Sequence, residues 1–151
     1  GGKKPRINDK SIELNRLLKA LSKYKFNILS LQYGDDNEIV KEAGLKHNIN
    51  FIDDIDIQAT KNMDDWLNQV DACDGIISIA NTTIHGAGGL RKPTLCLLGL
   101  KADWRWLKDQ TEKSSYWYPT VEIAWQTNEA DPWNAALKQI PSWLRSHEFI
   151  E

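Results

Sequence analysis

Apolar positions recur along the chain with two different periods. Leu14, Leu17, Leu18 and Leu21 fall at the i, i+3, i+4 and i+7 spacing of an amphipathic helix, which predicts a helix from Glu13 to near Tyr24. Further helices are predicted over 37–46, after a cap at Asn62, and over 131–140. Pro141 is expected to bend or stop the last of these helices, which leaves 142–151 as a polar tail. Continuous apolar runs predict buried strands over 27–32, 50–52, 75–79, 94–99 and 121–125.

These elements alternate between helix and strand, and the strands are apolar throughout rather than at every second position. Both features are typical of a parallel sheet covered by helices on both faces, so we predict the α/β class and a single Rossmann-like domain over residues 1–151. In such sheets ligands bind beyond the carboxyl ends of the strands. A doubly wound domain normally begins with a central strand, whereas this chain begins with a loop and a helix. The first strand is therefore expected to be missing and to belong to a longer parent protein.

Composition and charge limit the classes of partner. The 19 basic and 21 acidic residues give a net charge of −2, which does not favour nucleic acid. No apolar segment is long enough to span a bilayer, and Cys73 and Cys96 lack the spacing of metal ligands. We expect a cytoplasmic protein with reduced thiols, no membrane span and no bound nucleic acid.

The stretch from Ser78 to Gly89 carries the most suggestive chemistry. It leaves an apolar strand, passes through small hydrogen-bonding residues and enters a segment that can begin a helix. The unpaired amides and partial positive charge of a helix N-terminus, together with the hydroxyls of Thr82 and Thr83, predict an anion site. His85 follows at once, and we expect it to contact a phosphate or a sugar, with a structural role as the alternative.

Three glycines in the run Gly86-Ala87-Gly88-Gly89 would each weaken a helix by about 1 kcal/mol relative to alanine. Either the close approach of a ligand or tight packing against a neighbouring element can offset that cost. The run lacks the G-x-G-x-x-G pattern of dinucleotide sites, so no nicotinamide cofactor is expected.

Two further patterns have both a functional and a structural interpretation. Asp54-Ile55-Asp56 matches the D-x-D pattern that can hold a metal-bound nucleotide, but we interpret it as a solvated acidic turn and predict no metal site. Trp104, Trp106, Trp117 and Tyr118 lie in a long loop after the fourth predicted strand. Their rings can stack on a base or a sugar, or cap the end of the sheet, and we expect some of each.

An ordered series of motifs covers nearly the whole chain and resembles a known family. The series comprises 30–34 (Ser-Leu-Gln-Tyr-Gly), 74–78 (Asp-Gly-Ile-Ile-Ser), 81–94 (Asn-Thr-Thr-Ile-His-Gly-Ala-Gly-Gly-Leu-Arg-Lys-Pro-Thr), 103–106 (Asp-Trp-Arg-Trp) and 117–119 (Trp-Tyr-Pro). It resembles the C-terminal, donor-binding half of GT-B glycosyltransferases. The likeness is to the heptosyltransferase-like domains that often follow tetratricopeptide repeats in bacterial proteins.

The resemblance implies a set of donor-binding residues. The turn that contacts the donor diphosphate is matched by Asn81, Thr82, Thr83, His85 and Gly86, and the peptide O-linked N-acetylglucosamine transferases are similar in their paired threonines. Many relatives carry aspartate where this chain has Asn81. Lys10 and Arg6 could reach the phosphates from the first loop, and Gln32 and Tyr33 end the strand where the family holds the nucleotide. Trp104, Trp106, Trp117 and Tyr118 would hold the base or the sugar.

The function implied is the nucleotide-sugar-binding half of a metal-independent glycosyltransferase that uses the donor as substrate and needs no cofactor. An N-terminal acceptor-binding half, or repeats, would be the missing partner and would supply the general base, so no catalytic residue is assigned. Two alternatives stay open. One is a non-catalytic protein-interaction domain that has kept the fold, and the other is a nucleotide-sugar epimerase.

Overall fold

Six α-helices and five strands form in the part of the chain that the structure describes. The computed structural model describes residues 10–32, 37–52, 56–57, 60–106 and 111–151. In chain order the elements are α1 (Leu14–Leu21), β1 (Asn27–Leu29), α2 (Asn37–His47), β2 (Asn50–Ile52), α3 (Met63–Ala72), β3 (Ile76–Ile79), α4 (Thr82–Gly89), β4 (Thr94–Leu98), β5 (Val121–Trp125), α5 (Asn134–Leu137) and α6 (Ile140–Ser146), with a 3-10 turn over Trp104–Trp106. Within the described ranges no helix is both long and apolar enough to cross a bilayer.

The strands form two parallel sheets. β1 pairs with β2, and β3, β4 and β5 pair in that order. The Rossmann-like α/β class is confirmed, but the single sheet that the sequence predicts is divided, because no backbone hydrogen bond joins β1 to β3 among the described residues. β1 also ends at Leu29 rather than at Gln32, because its pairing with β2 ends at the Leu29–Ile52 pair.

Alternate residues of β4 face two different helical layers. Leu95 and Leu97 contact a cluster from α1, α5 and α6, namely Leu21, Ala136, Ile140, Trp143 and Leu144. Cys96 and Leu98 point to the opposite face, where Ile84 of α4 and Trp106 cover them. Helices therefore cover both faces of the larger sheet, as predicted, and β4 is buried at every position.

The ends of several helices follow from local chemistry. Asn62 caps α3 as predicted, because its side-chain oxygen accepts hydrogen bonds from the amides of Asp64 and Asp65 at 3.0 and 3.3 Å. Asp131 does not cap α5, which begins at Asn134. The Asp131 carboxylate instead pairs with Arg16 of α1 at 2.6 Å.

The predicted polar tail over 142–151 is wrong. Residues 140–146 form α6, because Pro141 lies in its first turn, where the missing N–H has no intrahelical partner to lose. Trp143 and Leu144 on this helix are each 4% exposed and complete the core over β4. Proline therefore begins this helix rather than ending the one before it.

Candidate functional site

The turn after β3 is fixed by the side chain of Asn81. Its Oδ1 accepts a hydrogen bond from the Thr83 amide at 2.9 Å, and its Nδ2 donates to the Ser78 Oγ at 3.1 Å. Asn81 is thus the N-cap of α4, in extended backbone geometry. One first-turn amide that a ligand could have used is already occupied by this cap.

Helix α4 has a buried and a solvent-facing side. Thr83, Ile84, Ala87 and Gly88 are buried, whereas Thr82 is exposed and His85 is half-buried. Thr82 and His85 are three positions apart and so lie on the same side of the helix. The structure therefore brings these two predicted residues together at the N-terminal end of α4 and turns Thr83 inward.

His85 is held in place by the aromatic loop, the segment between β4 and β5 that carries Trp104, Trp106, Trp117 and Tyr118. Its Nδ1 lies 3.0 Å from the Tyr118 hydroxyl, and the two rings meet edge to face with centroids 5.7 Å apart. The His85 and Trp106 ring centroids are 6.0 Å apart. These contacts hold the half-buried ring against the loop, and Nε2 has no hydrogen-bond partner in the described part of the chain.

The four predicted aromatic residues divide into two pairs. Trp106 is 5% exposed and Tyr118 is half-buried, and both pack in the cluster that covers β4 and β5. Trp104 and Trp117 are 66% and 58% exposed, and their rings form an edge-to-face pair at 6.4 Å. The first pair packs over the sheet, and the second pair leaves its indole surface exposed.

The exposed indole pair is also fixed by polar contacts. Trp117 Nε1 donates to the Arg105 carbonyl at 2.8 Å, and the Arg105 guanidinium lies 4.9 Å from the Trp104 ring centroid. Ser115 Oγ accepts hydrogen bonds from the amides of Trp117 and Tyr118 at 3.2 and 3.3 Å. These bonds form the turn that positions the rings of Trp117 and Tyr118.

Tight packing accounts for two of the three glycines in α4. A Cβ on Gly86 would lie 2.9 Å from the buried Trp66 ring, and a Cβ on Gly88 would lie 2.4 Å from Tyr118 Cγ. Gly89 has nothing within 4 Å of the same position. Gly86 and Gly88 therefore let α3 and the aromatic loop approach α4, which favours the packing interpretation of this run.

The structure describes only some of the other residues that were predicted to bind the sugar nucleotide. Lys10 and Gln32 are exposed, and Gln32 follows the carboxyl end of β1. Arg6 and Tyr33 lie outside the described residues, as does Asp54 of the D-x-D pattern, whereas Asp56 is exposed. Among the described residues no group of three or more histidine, cysteine or acidic side chains is placed to hold a metal ion.

A separate open cleft of about 560 Å³ lies at the carboxyl ends of β4 and β5. Leu100, Lys113, Gln126, Thr127, Asn128 and Gln139 contribute to its walls. None of the predicted site residues that the structure describes lines it. It occupies the same edge of the larger sheet as Thr82, which follows β3, and so obeys the rule for ligand position in parallel sheets.

Sequence reasoning did not find the residues that position the site. The sequence did not predict that the Tyr118 hydroxyl binds His85, which is 33 positions earlier in the chain. Ser115 and Ser78 were not candidates, although each fixes a turn through its hydroxyl. Only the spacing of Ser78 and Asn81 around the end of a predicted strand could have signalled such a turn.

Comparisons of the chain with models of known protein families, with curated proteins and with solved structures found no match. The family resemblance in the motif series therefore remains a prediction.

Proposed function

We propose that this chain is the nucleotide-sugar-binding half of a cytoplasmic, metal-independent GT-B glycosyltransferase. The observation that carries the proposal is the position of exposed Thr82 and half-buried His85 on one side of α4, at the carboxyl edge of β3. This is the edge where parallel α/β sheets bind ligands, and the helix begins there with its positive end.

The diphosphate of the donor would lie against this end of α4. The Thr82 hydroxyl is exposed and can donate to a phosphate oxygen, and the helix dipole favours the negative charge. During glycosyl transfer the leaving diphosphate gains negative charge. A hydroxyl fixed at this position as a hydrogen-bond donor therefore stabilises the transition state more than the ground state. His85, held by Tyr118, would add a second fixed contact to the phosphate or sugar.

The base or sugar of the donor would stack on Trp104 and Trp117. Their exposed indole surface lies in the loop that also supplies Trp106 and Tyr118 to the surroundings of His85. One loop thus contributes the stacking surface and the support for the histidine. The acceptor and the general base would come from another part of the protein, so this half should bind the donor but transfer sugar slowly.

The direct test is calorimetric titration of the chain with UDP-glucose, GDP-mannose and ADP-glucose. We expect one of them to bind and Thr82→Ala to weaken that binding roughly tenfold or more, because a hydrogen bond to a charged oxygen is lost. Thr120→Ala is the matched control, since Thr120 precedes β5 at the opposite edge and its buried hydroxyl has no hydrogen-bond partner among the described residues. Absence of binding to all three donors, or equal affinity in both variants, would refute the proposal.

A second titration separates stacking from diphosphate binding. Trp104→Ala should weaken binding of the same donor roughly tenfold, while Tyr116→Ala, which removes an 80% exposed ring from the same loop, should leave it unchanged. Inorganic pyrophosphate should bind the wild type and Trp104→Ala equally, because it has no ring to stack.

A non-catalytic protein-interaction domain is the second candidate. It is favoured by the exposed apolar side chains of Ile39, Leu45, Ile52 and Met63, which are between 48% and 82% exposed along α2, β2 and the start of α3. This candidate predicts that no sugar nucleotide raises the unfolding temperature and that a protein partner does. The charge variants Leu45→Glu and Ile52→Glu should then abolish the complex while leaving the unfolding temperature of the free chain unchanged.

A further inference from the structure

Tyr118 reaches His85 by lying along helix α4. A Cβ on Gly88 would lie 2.4 to 2.9 Å from Tyr118 Cγ, Cδ1 and Cβ, so the near end of the phenol ring rests on this glycine. The hydroxyl at the far end lies 3.0 Å from His85 Nδ1. His85 precedes Gly88 by one helical turn, about 4.5 Å along the axis, which is similar to the length of the ring. Gly88 is thus the residue that lets the hydroxyl reach His85.

The backbone of Tyr118 is held on both sides of its side chain. Its amide donates to Ser115 Oγ at 3.3 Å, and its carbonyl accepts from the Val121 amide at the start of β5 at 3.1 Å. The ring packs against the buried cluster that covers β4 and β5. Because backbone and ring are both held, the hydroxyl has a defined position relative to α4 and can orient a neighbouring polar group.

The imidazole of His85 is bounded by two aromatic rings. The Tyr118 ring meets it edge to face at a centroid distance of 5.7 Å. The Trp106 ring, which is 5% exposed, lies 6.0 Å away at an interplanar angle of 32°. These contacts restrict rotation of the imidazole, so Nδ1 is the ring nitrogen that meets the Tyr118 hydroxyl.

The hydrogen bond between the two side chains has a preferred direction. A neutral imidazole has one N–H donor and one acceptor nitrogen, and a phenol hydroxyl can donate or accept. A phenol O–H is a stronger donor than an imidazole N–H, and an imidazole nitrogen is a stronger acceptor than a phenol oxygen. The shared proton therefore stays on the Tyr118 oxygen and points at Nδ1, which leaves the proton of the imidazole on Nε2.

We infer that Tyr118 is a positioning residue that fixes neutral His85 in the tautomer protonated at Nε2. In this tautomer Nε2 donates a hydrogen bond and cannot accept a proton. His85 is then suited to bind an oxyanion, such as a diphosphate oxygen, and unsuited to act as the general base for an acceptor hydroxyl. The identity of the oxyanion rests on the proposed function, whereas the tautomer is a property of the free chain.

The first experiment measures the tautomer without any ligand. Correlation spectra of the ¹H and ¹⁵N nuclei of the histidine rings, recorded on the full chain at about pH 8.5, distinguish protonated from unprotonated ring nitrogens in the neutral imidazole. We expect a protonated Nε2 and an unprotonated Nδ1 in His85. Tyr118→Phe keeps the ring on Gly88 and removes only the hydroxyl, so it should shift the Nδ1 resonance of His85. Tyr116→Phe, the matched control, removes the hydroxyl of an 80% exposed ring in the same loop and should shift neither nitrogen.

The second experiment measures whether Tyr118 acts on anion binding through His85. Inorganic pyrophosphate is titrated by calorimetry into the wild type, Tyr118→Phe, His85→Ala and the double variant. Tyr118→Phe should weaken binding roughly threefold to tenfold in the wild-type background, because the donor at Nε2 is no longer fixed. In the His85→Ala background the same change should have no further effect, since the group that Tyr118 positions is absent.

Two outcomes would overturn the inference. One is a wild-type His85 protonated at Nδ1, or ring-nitrogen resonances that are the same in the wild type and Tyr118→Phe. The other is equal weakening by Tyr118→Phe in both backgrounds, because the hydroxyl would then act on the anion without His85. A wild type that binds neither pyrophosphate nor a sugar nucleotide would refute the proposed function instead, and the spectra of the free chain would still decide the tautomer.

Discussion

At the scale of single residues, the glycines of α4 differ in what surrounds them. Gly88 faces the Tyr118 ring so closely that a Cβ would lie 2.4 Å from Cγ, whereas Gly89 faces open space. The two residues are adjacent and belong to the same helix. They therefore provide a test in which helix propensity is similar and packing differs.

Gly88→Ala should destabilise the protein by about 1–3 kcal/mol, because the half-buried Tyr118 ring must move away from the new methyl group. That movement disturbs the hydrogen bond between Tyr118 and His85. Gly89→Ala should be neutral or stabilising by up to about 1 kcal/mol, since alanine favours the helix and meets nothing. Urea unfolding of both variants checks the prediction. Equal destabilisation would mean that the loop does not pack on α4 as described.

Cys96 makes the stability of the fold sensitive to alkaline pH. Burial raises the pKa of the Cys96 thiol from 9.0 to about 12, because the thiolate would lose its hydration in the core. In the unfolded chain the Cys96 thiol ionises near pH 9. It therefore contributes its full stability to the fold below pH 9, and this contribution is lost progressively as the pH rises from 9 towards 12.

Wild-type stability should therefore fall by about 1 kcal/mol for each pH unit above 9 on account of this thiol. Cys96→Ala should be less stable at pH 7 but should lose less on going to alkaline pH, since the titrating group is gone. Urea midpoints at several pH values between 7 and about 11 measure both slopes. Parallel slopes in the two proteins would show that Cys96 is not the group responsible.

At the scale of elements, α4 depends on its cap more than on its composition. It contains three glycines, and the Asn81 side chain both accepts from the Thr83 amide and donates to Ser78. Asn81→Ala should cost about 0.5–2 kcal/mol, whereas Asn81→Asp should keep most of the stability because aspartate caps equally well. Thermal unfolding monitored by circular dichroism compares the two, and a neutral Asn81→Ala variant would contradict the role of the cap.

Most elements could be predicted from the sequence, but α6 and the contacts that position the site could not. β2 and β5 have their predicted bounds, because apolar runs between turn residues define buried strands locally. α6 was missed because Pro141 is both a helix breaker and a good first-turn residue, and only burial of Trp143 decides between them. The contact of His85 with Tyr118 joins distant parts of the chain, and no local pattern encodes such a pair.

The aromatic loop shows the same division between composition and packing. The sequence predicts that tryptophans cluster after β4, but it cannot say that Trp106 is buried while Trp104 is exposed. Trp104 and Trp106 are two positions apart in one 3-10 turn, which points their rings in different directions. Side-chain direction in such a turn is set by the partner surface, which in this fold is the layer over β4 and β5.

At the scale of the whole molecule, the two sheets differ in how firmly they are held. The larger sheet has apolar clusters on both faces, and α1 is fixed to it by the Arg16–Asp131 pair and by the Trp133 Nε1 hydrogen bond to the Ser11 carbonyl at 3.0 Å. The smaller sheet has strands of three residues, and Ile52 at its outer strand is 50% exposed. Local opening should therefore begin in β1, α2 and β2.

Native-state hydrogen exchange should show this difference directly. We expect the amide of Leu97, which is 1% exposed in the centre of the larger sheet, to exchange only by global unfolding and roughly 100-fold or more slowly than that of Phe51 in β2. Low concentrations of urea should leave the exchange of Phe51 unchanged and accelerate that of Leu97, because only the second reaction exposes the whole core. If both amides exchange at the same rate and respond equally to urea, the two sheets unfold as one cooperative unit and their separation has no energetic consequence.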